Sequence, residues 1–99
     1  MPAYRDDVGE RFRVSGTVQG VGFRPTVWRL ANDLELDGSV RNDAQGVLIE
    51  LWGEQVNIDT FADRLLKEQP PLSIIESVRR TSLDGAGDLN SGFHIVQSE

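Results

Sequence analysis

The sequence predicts a single α+β domain in which two helices pack on one face of an antiparallel sheet. Apolar residues alternate with polar ones in several short stretches, and they recur at helical spacing in two longer ones. These stretches follow one another in the order β-α-β-β-α-β, with a further short strand at the end that would form an edge. Two helices are too few to cover both faces of such a sheet, so the order favours a ferredoxin-like α/β sandwich.

The first elements follow directly from this periodicity. Residues 1–9 are polar and without a period, which indicates a flexible N-terminal lead-in, and residues 10–97 are predicted to form the domain. The first strand is expected to begin at Arg11. The first helix is expected to have Pro25 at its first position, where a missing N–H is tolerated, and to end near Leu34.

The remaining elements are predicted from the same alternation and from the residues that end it. The second helix is ended by two consecutive prolines at 70 and 71. In chain order these elements are a strand at 39–42, a turn at 43–46, a strand at 47–52, a helix at 55–68, a strand from 74 towards 83, a loop at 84–91 and a strand at 93–96.

Composition and charge exclude several classes of function. The 99 residues are 38% hydrophobic and carry a net charge of −6, so nucleic acid and anionic membranes are poor partners. The chain has no cysteine and a single histidine, His94, so we expect neither a metal nor another cofactor. Because the sequence contains neither an apolar run of membrane-spanning length nor a signal-peptide core, the expected location is cytoplasmic.

The most informative segment, residues 18–25, joins the first strand to the first helix and reads VQGVGFRP. Its glycines permit positive φ, and successive N–H groups in such a turn can converge on an anion. The candidate phosphate-binding groups are the backbone N–H groups of Gln19, Gly20, Val21, Gly22, Phe23 and Arg24. Arg24 adds a permanent cation with a bidentate donor fork. From residue chemistry alone, a glycine-rich turn with a solvated Arg24 is an equally good interpretation.

The stretch from Gly16 to Arg24, GTVQGVGFR, resembles the signature of the acylphosphatase family, whose members hydrolyse the carboxyl-phosphate bond of acyl phosphates. The resemblance extends from about Arg11 to Val96 and implies the same ferredoxin-like fold. A second feature of the family, an asparagine near the end of the second strand, is matched by Asn42. The resemblance implies two catalytic residues: Arg24 would neutralise the phosphate, and Asn42 would orient the attacking water. Without it, Asn42 would be interpreted as a turn residue.

Finer features resemble one branch of this family, the N-terminal domains of hydrogenase-maturation carbamoyltransferases. These features are Pro25 directly after the arginine, the compact turn at 42–47 and the segment PPLSIIESV at 70–78. The resemblance implies carbamoyl phosphate as the substrate, the downstream domains of a longer parent chain as partners, and a monomer when the domain is isolated. A free-standing acylphosphatase is the alternative.

Two functions from other classes also fit this topology. A phosphate-binding interaction module with little turnover alone would keep the anion site, whereas retention of both Arg24 and Asn42 favours an enzyme. An RNA-binding domain would need a basic surface and aromatic residues on the open sheet face, which the net charge and an aromatic content of 7% disfavour.

Four other residues have specific expectations. Trp28 and Trp52 lie off the apolar stripes, so each is either an exposed interface residue or partly buried by neighbouring loops. His94 alternates with two apolar residues and is expected to face solvent. Glu35 stands at the end of the first helix, where a left-handed conformation would cost about 1 kcal/mol in a residue other than glycine.

Overall fold

The structure, a computed structural model, describes residues 7–84 and 92–97. Its elements follow the predicted order: β1 Asp7–Thr17, α1 Phe23–Asp33, β2 Asp37–Asp43, β3 Gly46–Glu54, α2 Gln55–Glu68, β4 Ile74–Leu83 and β5 Phe93–Ile95. Residues 1–6 of the predicted lead-in and residues 85–91 of the predicted loop lie outside the described residues.

The strands form one sheet in the order β4-β1-β3-β2-β5. The pairs β4–β1, β1–β3 and β3–β2 are antiparallel, whereas β5 pairs with β2 in parallel, with Val40 opposite Ile95. β4 runs antiparallel to β2, so a strand that runs opposite to β4, as β5 does, is parallel to β2. The predicted α+β sandwich with a terminal edge strand is confirmed, and that edge strand makes the sheet mixed instead of wholly antiparallel.

The first strand begins four residues earlier than the alternation predicts. β1 starts at Asp7 instead of Arg11, because residues 7–9 continue the ladder with β3 and place Gly9 opposite Trp52. A Cβ added to Gly9 would lie 2.3 Å from the Trp52 ring. The glycine therefore belongs to the strand and leaves room for the tryptophan, which a sequence pattern does not reveal.

The first helix also begins earlier than predicted. α1 starts at Phe23, so Pro25 is its third residue instead of its first. The N–H group of the third residue also has no intrahelical acceptor, so the proline is still tolerated. Consequently Arg24 lies inside the first turn of the helix.

Both helices bury their apolar faces against the same face of the sheet, where one hydrophobic core contains residues of every element except β4. Phe61 of α2 meets Phe12 of β1 edge to face, with ring centroids 5.6 Å apart and planes at 89°. Each helix contributes buried residues at helical spacing: Val27, Leu30 and Ala31 from α1, and Ile58, Phe61 and Leu65 from α2. The amphipathic helices of the prediction are therefore confirmed.

The end of α1 is a Schellman motif with Glu35 in the left-handed conformation. The Leu36 N–H donates to the Ala31 carbonyl at 2.8 Å, and the Glu35 N–H donates to the Asn32 carbonyl at 3.1 Å. Glu35 has a φ of 55°, which is the left-handed conformation that the sequence analysis considered for this position. This conformation turns the chain so that Leu36 enters the core.

Sheet register brings the end of β1 and the end of β2 to one edge. Val14 of β1 pairs with Val47 of β3, and Val47 pairs in turn with Asn42 of β2. Directly paired residues point to the same face, so these three side chains form a row on the helix-covered face. Because β1 and β2 run in the same direction, the loop that leaves β1 and Asn42 near the end of β2 lie at the same edge.

Candidate active site

The loop between β1 and α1 contains two glycines whose conformation other residues rarely adopt. Gly20 has a φ of 74° and Gly22 a φ of 83°. A Cβ added to either would have no neighbouring atom within 4 Å among the described residues, so backbone conformation and not crowding requires glycine here. The backbone beside these glycines is open for the close approach of a ligand.

The N-terminus of α1, which follows this loop, leaves its positive end uncompensated by side chains of the described chain. Gly22 occupies the N-cap, no side chain caps the helix, and the first turn contains no acidic residue. The first N–H groups of a helix lack intrahelical partners, and the helix dipole makes this end favourable for an anion.

Arg24 lies in this first turn, half-buried. A cation at the N-terminus of a helix is unfavourable by itself, because it faces the positive end of the dipole. An anion between the guanidinium and the helix N–H groups would turn both interactions favourable. The position of Arg24 thus fits a phosphate that the loop and the guanidinium hold together.

Asn42 is buried, with 7% of its surface exposed, in the apolar row with Val14 and Val47. Its Oδ1 has no hydrogen-bond partner among the described residues. A buried amide oxygen without a partner costs roughly 1–3 kcal/mol, so its retention needs a reason other than stability. A water molecule or a substrate hydrogen at this edge of the sheet would satisfy it.

The loop and the end of β2 are in direct contact through Gln19. Its Nε2 donates to the backbone carbonyls of Asp43, at 2.7 Å, and Gly46, at 2.9 Å. Asp43 is the residue after Asn42, so this contact brings the predicted phosphate-binding loop and the predicted water-orienting residue to one place.

The β2–β3 turn is also held from the other face of the sheet. Arg13 donates to Asp43 Oδ1 at 2.6 Å, and the same oxygen accepts the Gln45 N–H at 2.9 Å. The Arg13 guanidinium, followed by the Gln45 N–H, holds the pKa of the Asp43 carboxyl below its usual value. Asp43 is therefore ionised and serves as a fixed acceptor in the turn.

Two of these contacts were not predicted from the sequence: the Gln19 side-chain bridge and the Arg13–Asp43 pair. Their partners are separated by 24 to 30 residues, and only the strand register brings them together. An alternating strand pattern could place Arg13 on the outer face, but it cannot name its partner.

The other residues with specific expectations from the sequence are two tryptophans and one histidine. Trp28 is 45% exposed on α1. Trp52 is half-buried over Gly9, which belongs to strand β1 and not to a neighbouring loop. His94 is exposed on β5, as predicted. A pocket bounded by Ser39, Arg41, Leu48, Glu50 and Val96 lies on the opposite face of the sheet from Asn42.

Within residues 7–84 and 92–97, no group of three or more His, Asp or Glu side chains is arranged to hold a metal ion. Over the same ranges, no helix has the length and apolar character needed to cross a membrane.

The order of the elements, the five-stranded sheet and the two helices on one of its faces define a small ferredoxin-like α+β domain. The family model described as Acylphosphatase matches residues 10–95 of the chain. A protein described as Acylphosphatase from Caldivirga maquilingensis is 37% identical over 87 residues, which are 86% of this chain and 90% of that protein. The chain belongs to the acylphosphatase family.

Within the family, the chain is also similar to one part of much longer proteins. Carbamoyltransferase HypF of Rhodobacter capsulatus is 47% identical over 88 residues, which are 89% of this chain and 11% of that protein. A crystal structure of full-length HypF in the phosphate- and nucleotide-bound form superposes with a TM-score of 0.90 at 29% identity, covering 100% of this chain and 13% of that chain. The chain thus spans only a small part of these relatives.

Proposed function

We propose that this chain hydrolyses the carboxyl-phosphate bond of an acyl phosphate, and that carbamoyl phosphate is its substrate. The observation that carries the proposal is the hydrogen bond from Gln19 to the Asp43 carbonyl, which ties the glycine-containing loop to the residue after Asn42. The buried Oδ1 of Asn42 has no hydrogen-bond partner among the described residues. Hydrolysis of an acyl phosphate needs an anion site and a positioned water, and we assign a group at this edge of the sheet to each.

The phosphate is bound by the loop and the helix N-terminus. The backbone N–H groups of residues 19–24 donate to its oxygens, and the Arg24 guanidinium neutralises its charge. Phosphoryl transfer requires little covalent chemistry from the protein, so positioning and electrostatic stabilisation supply most of the catalysis. Donors fixed in the loop before the substrate arrives do not have to reorganise when charge develops in the transition state.

The water is oriented by Asn42. Its Oδ1 accepts a water hydrogen and directs the oxygen to the phosphorus, in line with the bond to the leaving group. The new bond joins the water oxygen to phosphorus, the bond from phosphorus to the acyl oxygen breaks, and the carboxylate or carbamate leaves with the electron pair. The second water proton passes to a phosphate oxygen, which gives dihydrogen phosphate and needs no protein base.

Carbamoyl phosphate is favoured over other acyl phosphates by the relatives that the chain resembles. Similarity to one part of proteins named carbamoyltransferase supports a role as the N-terminal domain of a hydrogenase-maturation carbamoyltransferase, whose downstream domains are its partners. Carbamate decomposes in water, so a second site in the same protein would use the product before it is lost.

A free-standing acylphosphatase is the second candidate function. Its support is the relative from Caldivirga maquilingensis, which this chain matches over 90% of that protein's length. The two candidates share the chemistry and the site, and they differ in substrate preference and in the presence of further domains.

The test is phosphate release from acetyl phosphate and carbamoyl phosphate by the purified 99-residue chain, with and without EDTA. We expect both substrates to be hydrolysed, with the higher kcat/KM for carbamoyl phosphate and no effect of EDTA. A higher kcat/KM for acetyl phosphate would favour the free-standing enzyme. No release above a heat-inactivated control would leave a phosphate-binding interaction module as the better account.

A further inference from the structure

The Gln19 side chain joins two parts of the candidate site that the chain supplies separately. Its Nε2 donates to the carbonyls of Asp43 and Gly46, which are paired residues at the two ends of the β2–β3 turn. Because both acceptors are carbonyl oxygens and only Nε2 carries hydrogens, these contacts also fix the orientation of the amide. The first residue of the phosphate-binding loop thus holds the turn that follows Asn42.

The turn that Gln19 contacts is also held by groups other than Gln19. The carboxylate of Asp43 is held by Arg13 on the outer face of the sheet, whereas its carbonyl is held by Gln19. A Cβ added to Gly46 would lie 2.2 Å from the Val14 carbonyl, so the turn is packed directly on β1. The side chain of Gln19 thus ties the loop to a turn that is itself packed on β1.

We propose that Gln19 is a positioning residue for the hydrolysis described under Proposed function, on which this inference rests. Its side-chain amide sets the distance between the phosphate, held by the loop, and the water, held by Asn42. This role is separate from the backbone N–H of Gln19, which any residue at this position would keep.

The physical reason lies in the geometry of in-line attack. The nucleophile and the leaving group must lie on opposite sides of the phosphorus, and a misplacement of about 1 Å can cost roughly 100-fold in rate. Without the bridge, the loop retains its glycines, its N–H groups and Arg24, so it still binds phosphate. What it loses is a fixed position relative to Asn42.

The experiment compares Gln19→Ala and Gln19→Glu with the matched control Gln45→Ala. The glutamate variant keeps the length of the side chain but places a carboxylate against two carbonyl oxygens. Gln45 is an exposed glutamine of the same turn, and its contribution is a backbone N–H that alanine retains. For each protein, kcat and KM for acetyl phosphate, the inhibition constant of inorganic phosphate and the Tm are measured.

We expect both Gln19 variants to lower kcat by about 10- to 100-fold, with the inhibition constant of phosphate changed by no more than about threefold. Gln45→Ala should stay within about twofold of the original chain. A further readout is the double variant Gln19→Ala/Asn42→Ala. Because Gln19 acts through the position of Asn42, the double variant should be no slower than Asn42→Ala alone.

The results separate this inference from the proposed function. If the original chain releases no phosphate, the proposed function and the inference fail together. If it is active and Gln19→Ala keeps its kcat, only the inference is overturned. Two further results would also overturn it. One is a double variant whose loss in kcat equals the product of the two single losses. The other is a fall in kcat that is accompanied by a lower Tm and by weaker inhibition by phosphate.

Discussion

Asn42 pairs with Val47 on the helix-covered face of the sheet, and its amide oxygen is buried there with no hydrogen-bond partner among the described residues. The pair sets a polar group in an apolar row that continues to Val14. Burial without a partner opposes stability, whereas an oxygen that awaits a water serves the proposed hydrolysis. The same residue therefore lends itself to separate tests of stability and of turnover.

Replacing Asn42 with valine should stabilise the fold and remove the activity. Valine is favourable in a β-strand, and it lacks the buried amide oxygen of Asn42. We therefore expect the free energy of unfolding to rise by about 1 kcal/mol. Urea denaturation measures this change, and phosphate release measures turnover. Phosphate affinity should persist, because Arg24 and the loop remain. A destabilised variant with normal turnover would contradict the role given to Asn42.

Replacing Arg24 with alanine should weaken both phosphate binding and turnover. Loss of one preorganised transition-state donor costs about 100- to 1,000-fold in rate, and Arg24 also carries the charge that holds the ground-state phosphate. Arg29→Ala is the matched control, since Arg29 lies on the same helix and contacts Glu68 at 3.2 Å instead of the loop. Equal losses in the two variants would show that the effect of Arg24 is general to the helix.

Replacing Glu35 with glycine should raise the stability by about 1 kcal/mol, because glycine adopts the observed φ of 55° without the strain of a Cβ. Glu35→Ala removes the same charge but keeps the Cβ, so it should bring little gain. Thermal and urea unfolding of the two variants measure the difference. An equal gain in both would assign the effect to charge and not to backbone conformation.

Replacing Glu10 with glutamine should reduce stability at neutral pH but not in acid. Glu10 accepts hydrogen bonds from Arg80 at 2.7 and 3.0 Å, and Arg80, followed by Gln55, lowers the pKa of Glu10 from its ordinary 4.5 against an opposing effect of burial. A lowered carboxyl pKa stabilises the fold above pH 4.5, and this contribution is lost as the pH falls through the folded-state pKa.

The difference between the original chain and Glu10→Gln should therefore be no more than about 1 kcal/mol at neutral pH, since Arg80 is partly exposed to solvent, and it should vanish once the pH has fallen below the folded-state pKa. Urea unfolding across this range measures it. Glu76→Gln, at an exposed position of β4, is the control for a simple change in net charge. A difference that grows on acidification would contradict the assignment.

The order of the elements and the two amphipathic faces could be predicted because each depends on local periodicity. The parallel pairing of β5 and the early start of β1 could not, because they depend on strand partners. Gly9 illustrates the reason. A side chain there would clash with the ring of Trp52, and only the strand register places that ring opposite it.

The site divides along the same line. The glycines and Arg24 lie in one continuous segment, so their proximity in space follows directly from their proximity in the sequence. Asn42 was connected to them by a family resemblance, and the bridge from Gln19 to its neighbouring turn depends on a side-chain geometry that no spacing reveals.

Phosphate binding by the loop of residues 19–24 together with Arg24 underlies the proposed hydrolysis, and an amide NMR titration with inorganic phosphate can locate this binding residue by residue. We expect saturable shifts concentrated in the N–H groups of Gln19 to Arg24 and in the Asn42 side-chain amide, all greatly reduced in Arg24→Ala. Shifts confined to the opposite sheet face, around Arg41 and Glu50, with the loop unchanged, would contradict it.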